Sequence, residues 1–573
     1  MCINRFVTLL LLLFIVFISA CNSGSTTTGE SLQLIPTPHS ITTRPGSLDA
    51  SEGFNLQPGN LTEEMARNLS DYLNVSPLHL SDNGKLLSMQ LSENEESSDN
   101  GELSESEESG ESYVLTIDKK GVFIQSTSEI GLFYGLQTLM QLVQQDKNIP
   151  YLEIKDKPRF AYRGLHMDVS RHFFSLDFLK KQIDRMAHYK LNKFHLHLTD
   201  AAGWRLEIDA YPELTGIAAW RAEELWKDWW ASDRKYVAEG TPGAYGGYYT
   251  KEEARELVRY AAERHVTVIP EIEMPGHSEE VLAVYPDLSC TGIPYTTGEF
   301  CIGNEETFEF LENVLEEVID IFPSEYIHVG GDEASKEHWE KCPKCQSRIK
   351  EEGLKDEAEL QSYLIRRIEK FLHSKERKLI GWDEILEGGL DASAVVMAWR
   401  GEEMGVSAAQ KGHKVIMTPG EYAYFDSYQG IPDKQPEAIG GFLPIEKAYS
   451  YNPVPDSLSY EESARIWGVQ ANLWAEYIAS EEHMEYMIWP RLLAMAEVAW
   501  TAPEQKSWSH FKRRVNREIP ILQSMGFNPY TLSKEPFIML SQDTVNFATE
   551  EAREASTFAC KHPLMETKED GYL

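Results

Sequence analysis

Short apolar runs recur along the chain after residue 158, and helical patterns separate several of them. Such runs are typical of buried strands, whereas apolar residues spaced three or four apart are typical of helices that cover a sheet. The strand-like runs lie at residues 164–169, 193–198, 266–272, 326–329, 378–382, 394–399, 414–418 and 467–473. The helical stretches include residues 176–189, 251–264, 307–321 and 357–375. Strands that alternate with helices in this way predict an α/β fold, a (β/α)8 TIM barrel over residues 158–505.

Residues 32–157 have a different pattern, which predicts a small α+β accessory domain. Residues 113–117 and 121–126 alternate like the two arms of a hairpin, and residues 131–143 have helical spacing. Residues 92–112 contain nine acidic residues and no basic one. This stretch has too little apolar surface to offset the cost of ordering, so it predicts a disordered loop. A calcium-binding or partner-docking loop is the alternative.

The two ends of the chain predict segments outside these domains. The apolar run at residues 6–18 is too short to span a bilayer and is typical of a signal peptide over residues 1–20. The sequence Ile18-Ser19-Ala20-Cys21 resembles a bacterial lipobox, so we expect a lipid anchor on Cys21 and a tether over residues 21–31. The protein is then expected in the bacterial cell envelope, in the outer membrane by preference, facing the periplasm or the cell surface. A plain secretory signal is the alternative, and residues 506–573 predict a C-terminal helical extension.

The composition narrows the classes of partner. The 573 residues include 91 Asp and Glu against 54 Lys and Arg, a formal net charge of −37. Phosphates repel a polyanion, so we expect no binding to nucleic acid and no attraction to anionic lipid through the overall charge. All 13 tryptophans fall between Trp204 and Trp508. The tryptophan side chains therefore belong to the part of the chain that follows the accessory domain, and the two regions differ in composition.

Polar and aromatic residues collect where the predicted barrel strands end. In a (β/α)8 barrel the active site lies at this face. The residues concerned are Asp168, His195, Asp200, Glu271, Glu273, His328, Asp332, Glu333, Trp382, Asp383, Trp399, Trp474 and Glu476. Tryptophan faces beside carboxylates suit a sugar ring, because the rings stack on C–H faces and the carboxylates accept from hydroxyl groups.

Asp332 and Glu333 form the strongest candidate for chemistry. Adjacent residues in a strand point to opposite faces, so the two can serve one pocket only where the strand has ended. Gly330 and Gly331 precede them and permit a close approach of backbone or ligand. Substrate-assisted glycosidases are exceptions to the scheme of two opposed carboxylates. An adjacent pair suits them, since one carboxylate protonates the leaving oxygen while its neighbour holds the acetamido N–H of the substrate.

Several motifs resemble glycoside hydrolase family 20, the β-N-acetylhexosaminidases. The sequence His328-Val329-Gly330-Gly331-Asp332-Glu333 is similar to the signature of that family. Further motifs resemble the family in order at residues 163–174, 195–205, 270–277, 381–384, 473–476 and 489–491, and residues 35–38 and 131–139 resemble its accessory domain. The resemblance implies an exo-acting, retaining enzyme that releases terminal N-acetyl-β-D-hexosamine, GlcNAc or GalNAc, from oligosaccharides or glycans. It implies an oxazoline intermediate and neither a cofactor nor a metal ion.

The resemblance also assigns the acid machinery. Glu333 is expected to act as the general acid and base, with a raised pKa that keeps its proton near neutral pH. Asp332 is expected to orient the acetamido group and to stabilise positive charge. His277 and Asp200 match the histidine and the aspartate that support the acid.

The same resemblance assigns the walls of a sugar pocket. Trp382, Trp399 and Trp474 are expected to surround the N-acetyl group, and Tyr424 to donate to the acetamido oxygen. The residues expected to bind outer sugar hydroxyls are Arg171, Asp426 and Glu476. Residues 440–444 lack a tryptophan that some members carry, and Ala201-Ala202 stands where many relatives have Asp-Gln.

Two other functions are compatible with parts of this pattern. His195 and His197 share one face of a strand, and with His277, His328 and Asp332 they are candidates for a zinc-dependent barrel hydrolase. A surface lipoprotein that binds amino sugars without cleaving them is the second alternative. An intact Asp332–Glu333 pair disfavours such a protein, because binding alone does not need an acid.

Four cysteines lie within 56 residues of one another: Cys290, Cys301, Cys342 and Cys345. Export permits disulfides, and a second Cys-x-x-Cys is absent. We therefore expect structural disulfides. Half of a zinc site or a redox dithiol at Cys342-Pro343-Lys344-Cys345 is the alternative.

Overall fold

The computed structural model describes residues 32–74, 78–92, 110–390, 393–532, 538–541 and 544–547. The predicted signal peptide, Cys21, the tether and most of the acidic loop lie outside these residues. The described residues divide into two compact units, one of residues 32–34 and 38–157 and the other of residues 35–37 and those from 158 onward. Among the helices of the described residues, we find none with the length and hydropathy that crossing a membrane requires.

The first unit contains a six-stranded mixed sheet. Its strands are β1 (Ser40–Asp49), β2 (Phe54–Gln57), β3 (Lys85–Leu91), β4 (Tyr113–Asp118), β5 (Gly121–Ser126) and β6 (Asn148–Asp156), in the order β1-β6-β4-β5-β3-β2. Its helices are α1 (Glu63–Asn74) and α2 (Glu129–Gln145). The side chain of Ser128 caps α2 by accepting from the Gly131 N–H, which satisfies one of the free N–H groups of the first turn.

The second unit contains a closed barrel of eight parallel strands. They are β7 (Tyr162–Asp168), β8 (Lys193–His197), β9 (Thr267–Met274), β10 (Tyr326–Gly330), β11 (Lys378–Trp382), β12 (Val395–Ala398), β13 (Val415–Met417) and β14 (Ile466–Ala471). Each strand pairs with the next in sequence, and β14 pairs with β7 to close the barrel. The predicted fold class, a TIM barrel preceded by an α+β domain, is confirmed.

Helices connect successive barrel strands, and three more follow the last strand. The longer ones are α3 (Leu176–His188), α4 (Lys251–Ala262), α5 (Glu305–Ile321), α6 (Pro343–Glu352), α7 (Glu357–Ser374), α8 (Glu402–Gln410), α9 (Glu481–Ile488), α10 (Arg491–Trp500) and α11 (Trp508–Ser524). N-capping side chains mark the start of several of these helices. Ser175 and Asp356 cap α3 and α7, and Thr250 forms a capping box with Glu253 at the start of α4.

Two expectations need correction. The helical extension predicted for residues 506–573 also contains an antiparallel strand pair, Ile538–Ser541 with Thr544–Phe547, which follows α11. The four clustered cysteines are not joined as disulfides. They are free thiols with neighbouring sulfurs 3.7 Å apart, whereas a disulfide bond measures about 2.0 Å.

The register between neighbouring strands determines which polar residues lie beside one another in the barrel. Glu271 of β9 lies beside His197 of β8 and His328 of β10. Further round the barrel, Asp168 pairs with His197. Apolar residues such as Ile380 and Met397 fill the barrel interior around the fully buried Trp382. The chemically capable side chains are therefore gathered near the carboxyl ends of β7 to β11.

Candidate active site

A sharp backbone bend after β10 brings the carboxylates of Asp332 and Glu333 together. The φ angles of Gly330, Gly331 and Glu333 are +66°, +103° and +48°. A Cβ atom at Gly330 would lie 1.8 Å from Glu273 Oε1, and one at Gly331 would lie 2.5 Å from Ile385 Cγ2. Glycine is required at both positions, and the strained conformation of Glu333 is a feature that tends to occur at functional sites.

His277 links this turn to Asp200. Its Nδ1 lies 3.3 Å from Asp200 Oδ1, and its Nε2 lies 3.5 Å from Glu333 Oε2 and 3.7 Å from Asp332 Oδ2. His277 follows β9 and also has a positive φ, +50°. The structure thus brings together all four residues that the resemblance assigned to the acid machinery.

The electrostatics of Glu333 differ from the expectation of a raised pKa. Partial burial raises the pKa of Glu333, but the hydrogen-bonding and positive charge of His277 outweigh burial, and the net pKa is lowered. Burial alone would lower the pKa of His277, yet the charge of Asp200 and its hydrogen bond raise it well above its usual value. The side chain of Glu333 is 45% exposed. Both shifts favour a protonated His277 beside an ionised Glu333.

Asp332 has the opposite environment. Burial raises its pKa, and the nearby charges of Glu333 and Glu271 add to this effect, while His277 opposes it. A hydrogen bond with the side chain of Glu273 also opposes the rise. The Oδ1 atom of Asp332 is buried, and no N–H or hydroxyl group of the described residues donates to it. A buried acceptor without a partner is costly unless a ligand supplies the donor.

Glu271 is the centre of a buried network that supports this site. Its carboxylate lies 3.0 Å from His195 Nε2, 2.5 Å from His197 Nδ1 and 2.8 Å from His328 Nδ1, and it accepts from Trp382 Nε1 at 2.9 Å. Burial disfavours its charge, but the imidazoles lower its pKa well below the usual value. The sequence placed Glu271 at a strand end without a role. The sequence feature that could have indicated this role is an acidic residue in a buried strand that lies between two strands carrying histidines.

His197 passes the support of Glu271 on to Asp200. His197 Nε2 lies 2.9 Å from Asp200 Oδ2. Burial disfavours its positive charge, yet Glu271 and Asp200 raise the pKa of His197 to about 10. Carboxylates and imidazoles thus alternate from Glu271 through His197, Asp200 and His277 to Glu333.

The donors proposed for a zinc-dependent hydrolase do not form one set among the described residues. His195 and His328 group with Glu271, His197 groups with His166 and Glu271, and His277 groups with Asp332 and Glu333. Burial lowers the pKa of His195 to about 4. The His195-x-His197 pair serves instead to fix Glu271.

Four aromatic residues form one group: Trp382 at the end of β11, Trp399 after β12, Tyr424 after β13 and Trp474 after β14. Trp382 and Trp474 have centroids 5.7 Å apart, Trp399 and Tyr424 stack at 6.1 Å, and Tyr424 lies 6.5 Å from Trp474. Trp399 donates to Glu384 at 3.0 Å, a contact that the sequence did not predict. Trp382 is fully buried, so it forms part of the base of this cluster. All four predicted aromatic residues lie in one group.

Charged residues border the aromatic group. Arg171 contacts Asp168 at 3.1 Å, Asp200 at 2.8 Å and Glu476 at 3.6 Å, and its guanidinium lies 5.1 Å from the Trp474 ring centroid. Arg171 thus joins the acid-supporting Asp200 to Glu476.

Asp426 is buried nearby. Burial, reinforced by the charge of Glu476, raises the pKa of Asp426 to about 8. Its Oδ1 has no hydrogen-bond partner among the described residues. Asp426 and Glu476 therefore offer polar groups beside the aromatic rings, as expected for residues that bind hydroxyls.

Comparison with known families agrees with this arrangement. Residues 160–503 match the description "Glycosyl hydrolase family 20, catalytic domain", and residues 31–157 match "Glycosyl hydrolase family 20, domain 2". The chain therefore belongs to glycoside hydrolase family 20.

Relatives of known name support the same assignment. A beta-hexosaminidase of Porphyromonas gingivalis is 45% identical over 73% of this chain and 54% of its own length. One of Vibrio furnissii is 39% identical over 67% of this chain and 64% of its length, and one of Akkermansia muciniphila is 36% identical over 71% and 82%. The chain thus spans about half the length of the first of these relatives and under two thirds of the second.

Solved structures share the fold. The GH20 exo β-N-acetylglucosaminidase of Vibrio harveyi, in complex with N-acetylglucosamine, has a TM-score of 0.74 and 31% identity, covering 87% of this chain and 78% of its own. The β-N-acetylhexosaminidase of Bacteroides fragilis has a TM-score of 0.72 and 28% identity, covering 87% and 96%.

Proposed function

We propose that the protein is an exo-acting β-N-acetylhexosaminidase. It removes terminal non-reducing N-acetyl-β-D-hexosamine from oligosaccharides or glycans, with retention of configuration. The observation that carries this proposal is the bend that turns both Asp332 and Glu333 toward His277, close to the grouped Trp and Tyr rings. Family membership and the named relatives support the same substrate class.

The first step opens the glycosidic bond. The acetamido oxygen of the substrate attacks the anomeric carbon, and Glu333 gives its proton to the leaving oxygen. The unpaired Oδ1 of Asp332 accepts from the acetamido N–H and stabilises the positive charge that develops on the forming oxazoline. In this scheme the hydroxyl of Tyr424 donates to the acetamido oxygen.

The second step hydrolyses the oxazoline. Glu333, now ionised, takes a proton from water as that water attacks the anomeric carbon from the side that the leaving group vacated. The C–O bond to the acetamido oxygen breaks, and the product keeps its original configuration. Acid and base are the same residue in the two half-reactions, as microscopic reversibility requires.

The lowered pKa of Glu333 fits this scheme if substrate changes its environment. A sugar bound over Glu333 removes water from a carboxyl group that is 45% exposed in this structure. Desolvation favours the neutral carboxylic acid, so the proton held on His277 moves to Glu333 when substrate binds. His277 acts here as a positioning and proton-storing residue.

An assay with an aryl N-acetyl-β-glucosaminide and a panel of natural glycans tests the activity. Wild type should release aryl alcohol and monosaccharide, with the β anomer as first product by NMR. Asp332→Asn should lose about 10²–10³-fold in kcat with a small change in KM, because its contact strengthens as charge develops. A thiazoline mimic of the bicyclic intermediate should inhibit strongly. Equal turnover by wild type and Glu333→Gln, or binding without turnover by either, contradicts the proposal.

We further propose that Cys21 is lipidated and anchors the enzyme in the bacterial cell envelope. Support comes from the apolar run at residues 6–18 and the small residues before Cys21. Labelling of cells with a fatty-acid analogue should mark the wild type and not Cys21→Ala, and the variant should leave the membrane fraction. Equal membrane association of both proteins contradicts this proposal.

A further inference from the structure

The loops that follow β9 and β10 meet at four cysteines. Cys290 and Cys301 belong to the first loop. Cys342 ends the second loop, and Cys345 lies in the first turn of α6, which follows it. The sulfurs of Cys290 and Cys345, of Cys301 and Cys342, and of Cys301 and Cys345 are each 3.7 Å apart. All four sulfurs lie within 4.8 Å of one another. None of the other roles assigned to the barrel explains this convergence.

We propose that Cys290, Cys301, Cys342 and Cys345 bind one Zn²⁺ ion in a structural site of four thiolates. A zinc–thiolate bond is about 2.3 Å long, so a tetrahedron of four thiolates places its sulfurs about 3.8 Å apart. The observed separations of 3.7 Å match that value and are far longer than a disulfide bond. The inference does not depend on the proposed function.

The local backbone is shaped to hold thiolates. Cys342 is the N-cap residue of α6, and Cys345 lies in its first turn. The N–H of Gly303 donates to the sulfurs of Cys301 and Cys345. A Cβ atom at Gly303 would lie 2.1 Å from the Lys344 carbonyl carbon, so glycine permits the two loops to approach. Backbone N–H groups and a helix N-terminus both stabilise negative sulfur.

The site has the character of a structural centre. Cys301, Cys342 and Cys345 are buried, and Cys290 is half-buried. Four protein ligands close the coordination shell and leave no position for water or substrate, unlike a catalytic zinc site. A tetrahedral set of four sulfurs also suits iron. We favour zinc because it has no redox chemistry, and the neighbouring hydrolytic site neither supplies nor takes electrons.

The ion would join the two loops that carry the acid machinery. His277 precedes Cys290 by 13 residues in the loop after β9, and Glu333 precedes Cys342 by 9 residues in the loop after β10. The same loops are linked by Trp339, which is buried and donates to the Phe300 carbonyl at 2.9 Å. Zinc would therefore fix the positions of His277 and Glu333 relative to each other from outside the pocket.

Metal analysis of the purified full chain tests the site directly. Protein produced in zinc-containing medium should carry one zinc per chain by elemental analysis, and X-ray absorption at the zinc edge should show four sulfur ligands at about 2.3 Å. Protein loaded with Co²⁺ instead should show thiolate-to-metal charge transfer and the intense visible bands of tetrahedral cobalt. Titration of the wild type with an organomercurial should release the zinc as the thiols react.

Substitutions identify the ligands. Cys301→Ser and Cys345→Ser should lose the zinc equivalent, whereas Cys560→Ser, which changes a cysteine outside the four, should keep it. The wild-type spectroscopy decides the question even where a ligand variant fails to fold. Iron in place of zinc, disulfides between these cysteines by peptide mapping of zinc-free protein, or full zinc content in a folded Cys345→Ser variant would each overturn the proposal. None of these results depends on whether the protein cleaves amino sugars.

Discussion

Two polar regions of the barrel differ in how completely their carboxylates are paired. Around Glu271, three imidazoles and an indole N–H meet one carboxylate, and all five side chains are fully buried. At the turn after β10, Asp332 keeps a buried oxygen to which no N–H or hydroxyl group of the described residues donates, and Glu333 is 45% exposed. The Glu271 carboxylate has close partners inside the protein, although Nε2 of His195 and Nε2 of His328 form no hydrogen bond among the described residues. The carboxylates of the turn keep acceptor oxygens free for a ligand.

The difference assigns separate tasks to neighbouring carboxylates. A buried charge is tolerated only where close partners offset its desolvation, so the network around Glu271 is suited to hold Trp382 and His197 in place. Asp332 and Glu333 retain the capacity to bind and to transfer a proton. If this division is correct, substitutions at the turn should reduce turnover and leave stability nearly intact, whereas substitutions at Glu271 should reduce stability first.

Glu333→Gln should produce the largest effect on turnover. Removal of the general acid is expected to lower kcat for a poor leaving group by about 10²–10⁴-fold. The melting temperature should change little, because the side chain is half-exposed. Glu337→Gln is the matched control: Glu337 lies four residues further on, is 74% exposed and pairs with Lys341 at 3.8 Å. Equal losses of kcat in the two variants, measured by steady-state kinetics, would show that Glu333 is not the general acid.

Glu271→Gln should produce the largest loss of stability. The substitution leaves the imidazolium of His197 without one of its two carboxylates, and breaking a buried ion pair costs about 3–5 kcal/mol. Urea denaturation followed by tryptophan fluorescence measures the change.

Glu273→Gln is the control for this stability measurement. Burial and repulsion from Asp332 and Glu271 raise the pKa of Glu273 well above its usual value, so its negative charge is already disfavoured in the folded protein. A neutral amide should therefore cost little there. Equal losses of stability in Glu271→Gln and Glu273→Gln would contradict the paired network.

Much of this architecture could be predicted from local patterns. The apolar runs located all eight barrel strands, and the Gly330-Gly331-Asp332-Glu333 sequence placed two carboxylates at a bend. These features depend on residues close together in the chain, where periodicity and glycine placement carry the information.

Contacts between residues far apart in the sequence could not be predicted from such patterns. The role of Glu271 depends on the register of β9 with β8 and β10, and the cysteine cluster depends on two loops that meet only because their strands are neighbours. The lowered pKa of Glu333 depends on the protonation of His277, which Asp200 controls from another strand end. A motif identifies such residues without giving their mutual distances or charges.

His277→Gln should shift the pH dependence and lower activity about tenfold or more. In the wild type, the pair of His277 and Glu333 shares one proton, which is retained until the pH exceeds the raised pKa of His277. In the variant, the carboxyl group of Glu333 holds its proton alone, so the alkaline limb of kcat/KM should move to lower pH. His373→Gln, on the exposed face of α7, should leave the limb in place. Movement of the limb to higher pH would show that His277 merely opposes protonation of Glu333.

Asp426→Asn should have the smallest effect of the series. The pKa of Asp426 is raised to about 8, so at pH 7 the protonated carboxyl group and an amide both offer a donor and an acceptor. We expect kcat/KM at pH 7 to change only a few-fold, by about 1 kcal/mol or less.

The folded-state pKa of Asp426 lies above the unfolded value of about 3.9. This group therefore stabilises the fold fully below that value and loses its contribution as the pH rises toward the folded-state pKa. The wild type should therefore lose thermal stability between about pH 4 and pH 8 through this group, and Asp426→Asn should lose less; parallel melting curves for the two proteins over this range would show that Asp426 is ionised throughout.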